Sequence, residues 1–140
     1  MPNLQSSAWQ LDHIAHAVKD LDRARDFYQN TLGFTFEEEE TLPEHQVRAV
    51  FLRSGDSLLE LIQPLEGNQT LNKFLSERGP GLHHVCYRVS SVQVELARLE
   101  KLGVRLIDRV PRLGSRGFHV AFLHPKAADG VLIEIASKTN

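Results

Sequence analysis

Leu11-Asp12-His13-Ile14-Ala15-His16-Ala17-Val18 lies over Leu82-His83-His84-Val85-Cys86-Tyr87-Arg88-Val89 at a spacing of 71 positions, matching apolar with apolar and His13 with His84. Self-similarity at fixed spacing fixes an architecture before any single element is assigned. Each copy reads as a strand followed by a helical pattern: Leu21, Ala24, Phe27, Tyr28 and Leu32 in the first, and Val92, Leu96, Leu99 and Leu102 in the second. Gly33 and Gly103 stand where each helix needs a left-handed residue to stop. Asp20 and Ser90 are the expected N-caps, Ser90 with Gln93 as a capping box.

Three β-type runs follow in each copy, near 34–40, 46–54 and 57–63, then near 104–109, 117–124 and 131–136. The unit is βαβββ, twice. Module one covers about 10–65, a linker with one short helix around Leu71, Phe74 and Leu75 covers about 66–80, and module two covers about 81–136. The expected fold is α+β, two tandem βαβββ modules, eight strands in all, in one domain spanning 10–140.

Strand parity assigns faces. His13 shares a face with Ala15 and Ala17, and Glu60 opposes Leu59 and Leu61; likewise His84 opposes Val85 and Tyr87, and Glu134 opposes Ile133 and Ile135. Large aliphatic residues mark the helix-covered face, leaving His13, Glu60, His84 and Glu134 among small residues on the other. A carboxylate inside an apolar strand is costly unless paired or bound to a metal, and here two occur at matching places. Two imidazoles and two carboxylates form an N/O donor set for a divalent first-row ion, with positions left open for substrate. Cobalt, nickel, manganese, iron and zinc all suit these donors.

Composition excludes other classes. Sixteen Lys and Arg against 18 Asp and Glu, a net charge of −2, leave no overall basic footprint for nucleic acid. The single cysteine, Cys86, excludes an internal disulfide and reads as a buried thiol. No apolar run approaches the roughly 20 residues that span a bilayer. The opening MPNLQSSAWQ has neither the basic cluster nor the apolar core of a targeting segment, so a cytoplasmic location is expected. The run Glu37 to Glu40 reads as a solvated strand edge. His16, His45, His119 and His124 have no ligand-type counterpart in the other copy and read as edge, loop or supporting residues.

The tandem pattern resembles the vicinal-oxygen-chelate superfamily, the glyoxalase-like fold, over about residues 10–136, which implies that the two modules form one curved eight-stranded mixed sheet around a metal cleft. Within it, Gly81-Leu82-His83-His84, Arg112-Leu113-Gly114-Ser115, Phe122-Leu123-His124-Pro125-Lys126 and Gly130 to Ile135 resemble the methylmalonyl-CoA epimerase family. That resemblance implies metal ligands His13, Glu60, His84 and Glu134, a divalent metal such as Co²⁺, an acyl-CoA substrate and a homodimer. It implies epimerisation of methylmalonyl-CoA by proton exchange at C2 through a metal-stabilised enolate; from the pseudo-symmetry of the two copies, Glu134 is expected to take part in the proton transfer, with a second carboxylate such as Glu60 or a metal-bound water completing it. Some family members carry a further glutamate on the third strand, where this chain has Ala49. Lys126, Arg116 and Arg112 are the cations expected to meet the phosphates or carboxylate of the substrate. The alternatives are a glyoxalase I-type lyase, which the His124-Pro125-Lys126 phrase disfavours, a ring-cleaving dioxygenase, which the fourth ligand disfavours, and a metal-free binding module, which does not need all four donors.

Overall fold

The computed structural model describes residues 9–139; the reading of the opening stretch as free of a targeting segment falls on residues 1–8, outside them. Contacts gather the chain into two units, one from His13 to His83 and one from His84 onward that also takes in the residues up to Asp12. Their boundary falls within the repeated His-bearing strands.

In module one, β1 (Gln10–Ala17), α1 (Leu21–Asp26), β2 (Thr35–Leu42), β3 (Val47–Ser54) and β4 (Ser57–Pro64) follow in the expected order. The strand order is β2-β3-β4-β1, with β1 parallel to β4 and the other pairs antiparallel. Asp20 caps α1 by accepting from the Arg23 amide, and the Gln63 side chain accepts from the Leu21 amide. After Asp26 the helix widens into a π turn, Phe27–Thr31, so the single helix read from the sequence is in fact two segments. Val18, Leu21, Val50, Leu52, Leu59 and Leu61 pack beneath it.

The linker helix α2 (Gln69–Arg78) is capped by Asn68 and places Leu71 and Leu75 against Ala17, Ala49, Phe51, Leu58 and Ile62. This corrects the expectation that the large aliphatic residues and the helices lie only on the face opposite His13. Part of that face is a second core under α2, because the linker folds back onto it.

In module two, β5 (Gly81–Arg88), α3 (Val92–Lys101), β6 (Arg112–Leu113), β7 (His119–Leu123) and β8 (Ile133–Ser137) give the order β5-β8-β7-β6, with β5 parallel to β8. The α3 cap is Ser91, which accepts from the Val94 amide, rather than Ser90. The expected strand at 104–109 reduces to one bridge, Leu106 to Leu123. Asp108 accepts the Phe122 amide on its carboxylate and so replaces a backbone partner, and pairing resumes only at β6.

Gly114 closes that detour. Its amide donates to the Phe118 carbonyl, and a Cβ there would meet Val120 Cγ1 at 2.8 Å. Gly114→Ala is therefore expected to lower stability by about 1–3 kcal/mol through overpacking, read as a fall in the urea midpoint.

The acidic run on β2 is an ion-paired edge. Glu39 binds Arg25 and Arg48, Arg48 also binds Asp22, and Glu37 binds Arg53. Arg48 holds the Asp22 carboxyl below the usual carboxylate range.

His16, half-buried on the helix side, has its Nδ1 3.0 Å from the Tyr28 hydroxyl. Burial holds its pKa below the ordinary 6.5. As pH falls the unfolded chain takes up this proton first, so the His16 contribution to stability is intact above 6.5 and is lost toward the lowered folded value. Urea midpoints taken on either side of 6.5 should fall less in His16→Gln than in the parent chain.

Among the described residues, no helix is long and apolar enough to cross a membrane.

Candidate metal centre and active site

Each module builds the same arrangement from parallel pairing. In module one Ala15 stands opposite Glu60, so His13, two residues earlier on the same face, is the diagonal neighbour of that carboxylate. His13 Nε2 and Glu60 Oε1 lie 3.1 Å apart, and both side chains are buried. In module two Cys86 stands opposite Glu134, and His84 Nε2 lies 3.1 Å from Glu134 Oε1, again with both side chains largely out of solvent.

These pairs fit a metal. A neutral imidazole nitrogen beside a carboxylate oxygen is a donor pair suited to a divalent first-row ion. Ligand distances of about 2.1 Å around such an ion place neighbouring donors about 3.0 Å apart, close to the separation seen in both modules. Burial raises the cost of leaving either carboxylate uncompensated.

A third member of each arrangement escaped the sequence reading. The Phe51 ring meets His13 edge-on, with centroids 5.5 Å apart and planes at 89°, and Phe122 meets His84 at 5.3 Å and 89°. Phe51 stands opposite Glu60 and Phe122 opposite Glu134 in the ladders. Each phenyl ring therefore wedges an imidazole into one orientation toward its carboxylate. The signal was present: Phe51 and Phe122 carry the same 71-position spacing as His13 and His84.

Ala49 is fully buried on β3, opposite Ile62 and two residues from Phe51, on the face that carries Glu60. A carboxylate there would point toward the His13 and Glu60 side of the sheet, and this chain has none. Cys86 is buried among Phe118, Val120 and Ala136, as expected of a packed thiol.

The three expected substrate cations fare differently. Arg112 pairs with Asp108 at 3.1 Å, and Arg116, largely buried, pairs with Asp12 at 2.6 Å. Each is answered by a carboxylate, Arg112 by one of its own module and Arg116 by one on β1. Lys126 is exposed on a short 3₁₀ turn, where its amide donates to His124 Nδ1. His124 thus caps that turn, and its pKa lies below the ordinary value through desolvation and the nearby Arg105 and Lys126 charges.

The family model described as the Glyoxalase/Bleomycin resistance protein/Dioxygenase superfamily matches residues 12–122. A mitochondrial methylmalonyl-CoA epimerase from Bos taurus is 39% identical over 127 residues, covering 90% of this chain and 73% of the relative. The crystal structure of methylmalonyl-CoA epimerase from Mycobacterium tuberculosis is 36% identical with a TM-score of 0.86, covering 93% of this chain and 88% of that one. A methylmalonyl-CoA epimerase in complex with methylmalonyl-CoA and NH4+ is 35% identical with a TM-score of 0.85, covering 91% and 93%.

Proposed function

The chain belongs to the Glyoxalase/Bleomycin resistance protein/Dioxygenase superfamily, and from that premise we propose that it is a metal-dependent methylmalonyl-CoA epimerase with His13, Glu60, His84 and Glu134 as its metal ligands. The observation that carries this reading is the duplicated buried pair, His13 with Glu60 and His84 with Glu134, each at 3.1 Å and each wedged by a phenylalanine. The names and coverage of the similar proteins support the substrate.

When bound, the ion supplies Lewis acidity toward the oxygens of the substrate's thioester and carboxylate. The chain's own groups move the proton. Glu134 takes the C2 proton of one stereoisomer, the C–H electron pair passes into the thioester carbonyl, and Glu60, carrying a proton, returns it to C2. Microscopic reversibility exchanges the two roles for the other stereoisomer. Ala49 removes the third-strand carboxylate as a base, which leaves the work to these two. Acid–base catalysis of this kind contributes roughly 10²–10⁴-fold. Phe51 and Phe122 hold the imidazoles and keep water from their flanks.

Incubating the cobalt-loaded protein with one stereoisomer of methylmalonyl-CoA should give an equal mixture of both. Turnover of the glutathione hemithioacetal in place of methylmalonyl-CoA would instead indicate a glyoxalase I-type lyase.

A further inference from the structure

The parallel strands β1 and β4 of module one send their following helices to opposite faces of the sheet. After β1 the chain turns into α1, which packs over Leu59 and Leu61; after β4 it turns into α2, which packs over Leu58 and Ile62. Alternation along β4 separates the two sets. Where the connections of neighbouring parallel strands diverge in this way, a crevice opens beyond the carboxyl ends of the strands, and such crevices are preferred ligand sites.

A cleft of about 280 Å³ lies at this place, lined by Lys19 just past β1, Gln63 and Pro64 at the end of β4, and Asn72, Leu75 and Ser76 on α2. At about 30 Å³ per water molecule, that volume suits a ligand of only a few heavy atoms. The cleft is distinct from the His13 and Glu60 pair. Gln63 has the opposite parity to Glu60 on β4, and Lys19 lies beyond the end of the strand that carries His13.

The polar groups of the cleft are complementary. The Leu21 amide donates to Gln63 Oε1 at 2.7 Å, and only the oxygen end of that side chain can accept it. Gln63 Nε2 is left as a donor with no acceptor among the described residues, and Lys19 forms no ion pair among them. On the α2 side, Asn72 Nδ2 donates to the Asn68 carbonyl at 2.8 Å and the Ser76 hydroxyl to the Lys73 carbonyl at 3.1 Å. Asn72 Oδ1 and Ser76 Oγ therefore remain as acceptors. Buried Leu75 and half-buried Pro64 supply the apolar part.

We infer that this crevice binds a small carboxylate that carries a hydroxyl or ammonium group on the adjoining carbon. The carboxylate accepts from Lys19 Nζ and Gln63 Nε2, the adjoining group donates to Asn72 Oδ1 and Ser76 Oγ, and a short alkyl part rests on Leu75 and Pro64. Charge-assisted hydrogen bonds are the stronger kind, so Lys19 supplies most of the selectivity for an anion. The α2 acceptors select the neighbouring donor. The site is independent of the epimerase reading and of the metal.

The test is calorimetric titration of the full chain, with amide-correlated NMR spectra, using L-lactate, L-alanine, propionate and inorganic phosphate as probes. L-lactate or L-alanine should bind saturably and shift the side-chain amide signals of Gln63 and Asn72; the two probes tell hydroxyl from ammonium. Propionate, which lacks the donor, should bind about tenfold more weakly or worse. Lys19→Gln should weaken binding by about tenfold or more, the scale of one charge-assisted hydrogen bond. Gln63→Glu should do the same by repulsion, since its carboxylate still accepts from the Leu21 amide and keeps α1 anchored. Thermal melting checks that both variants fold. No saturable binding of either lactate or alanine, propionate binding as tightly, or unchanged affinity in the folded variants overturns the site. Phosphate binding in place of the organic acids also overturns it, as a general anion patch. No readout involves turnover, so failure of the epimerase reading leaves this test intact.

Discussion

Glu134→Gln is expected to lower C2 proton exchange of the stereoisomer that Glu134 deprotonates by about 10²–10⁴-fold while leaving the fold intact. The amide has the shape of the carboxylate and still offers an oxygen toward His84, which lies 3.1 Å from Glu134 Oε1 in the parent. What it loses is the capacity to accept a proton at working pH. Metal affinity should therefore fall far less than the rate, and a rate loss tracking metal loss would place Glu134 among the ligands only. Glu60→Gln gives the informative partner result. If the two carboxylates serve opposite faces, that variant should still exchange the C2 proton of one stereoisomer through Glu134, with retention, while conversion to the other stereoisomer collapses. Deuterium content and stereochemical purity, measured together on both stereoisomers, separate the outcomes.

His84→Ala is expected to weaken cobalt binding by at least about 100-fold, since loss of a mere supporting partner costs 10–100-fold. The imidazole is buried between Glu134 and the edge of Phe122, so its removal also leaves a cavity beside a carboxylate that has lost its neighbour. Ligand binding to the folded state raises the melting temperature; cobalt should raise it in the parent and fail to do so in His84→Ala. His13→Ala should behave alike. His16→Gln, on the opposite face of the same strand beside Tyr28, should keep cobalt affinity within about twofold, as expected of a residue outside the ligand set and its supporting partners.

What the sequence made legible was whatever repeats. The His13 and His84 strands, the closing strands with Glu60 and Glu134, and the left-handed stops at Gly33 and Gly103 all stand where spacing and parity place them. Local details set by side-chain hydrogen bonding were harder to read. Nothing in Val104 to Arg109 announces that the Asp108 carboxylate will take the Phe122 amide and displace the sixth strand to Arg112–Leu113. Ser90 and Ser91 offer equivalent hydroxyls, and only the backbone path selects Ser91. The return of α2 onto the His13 face is a tertiary event, decided by where Leu71 and Leu75 find apolar partners. The stacking of Arg88, Arg116 and Lys138 on the Phe118 ring likewise assembles residues from β5, the 115–117 turn and the position after β8, which no linear spacing links.

The most direct measurement of the central claim is deuterium entry at C2. The metal-stripped protein is reloaded with cobalt and given, in D₂O, the stereoisomer of methylmalonyl-CoA that Glu60→Gln still exchanges, with mass and stereoisomer content followed together. Metal-dependent incorporation of one deuterium accompanied by loss of stereochemical purity, and neither in Glu134→Gln, is the predicted result. Tight cobalt binding with no deuterium entry would contradict the account.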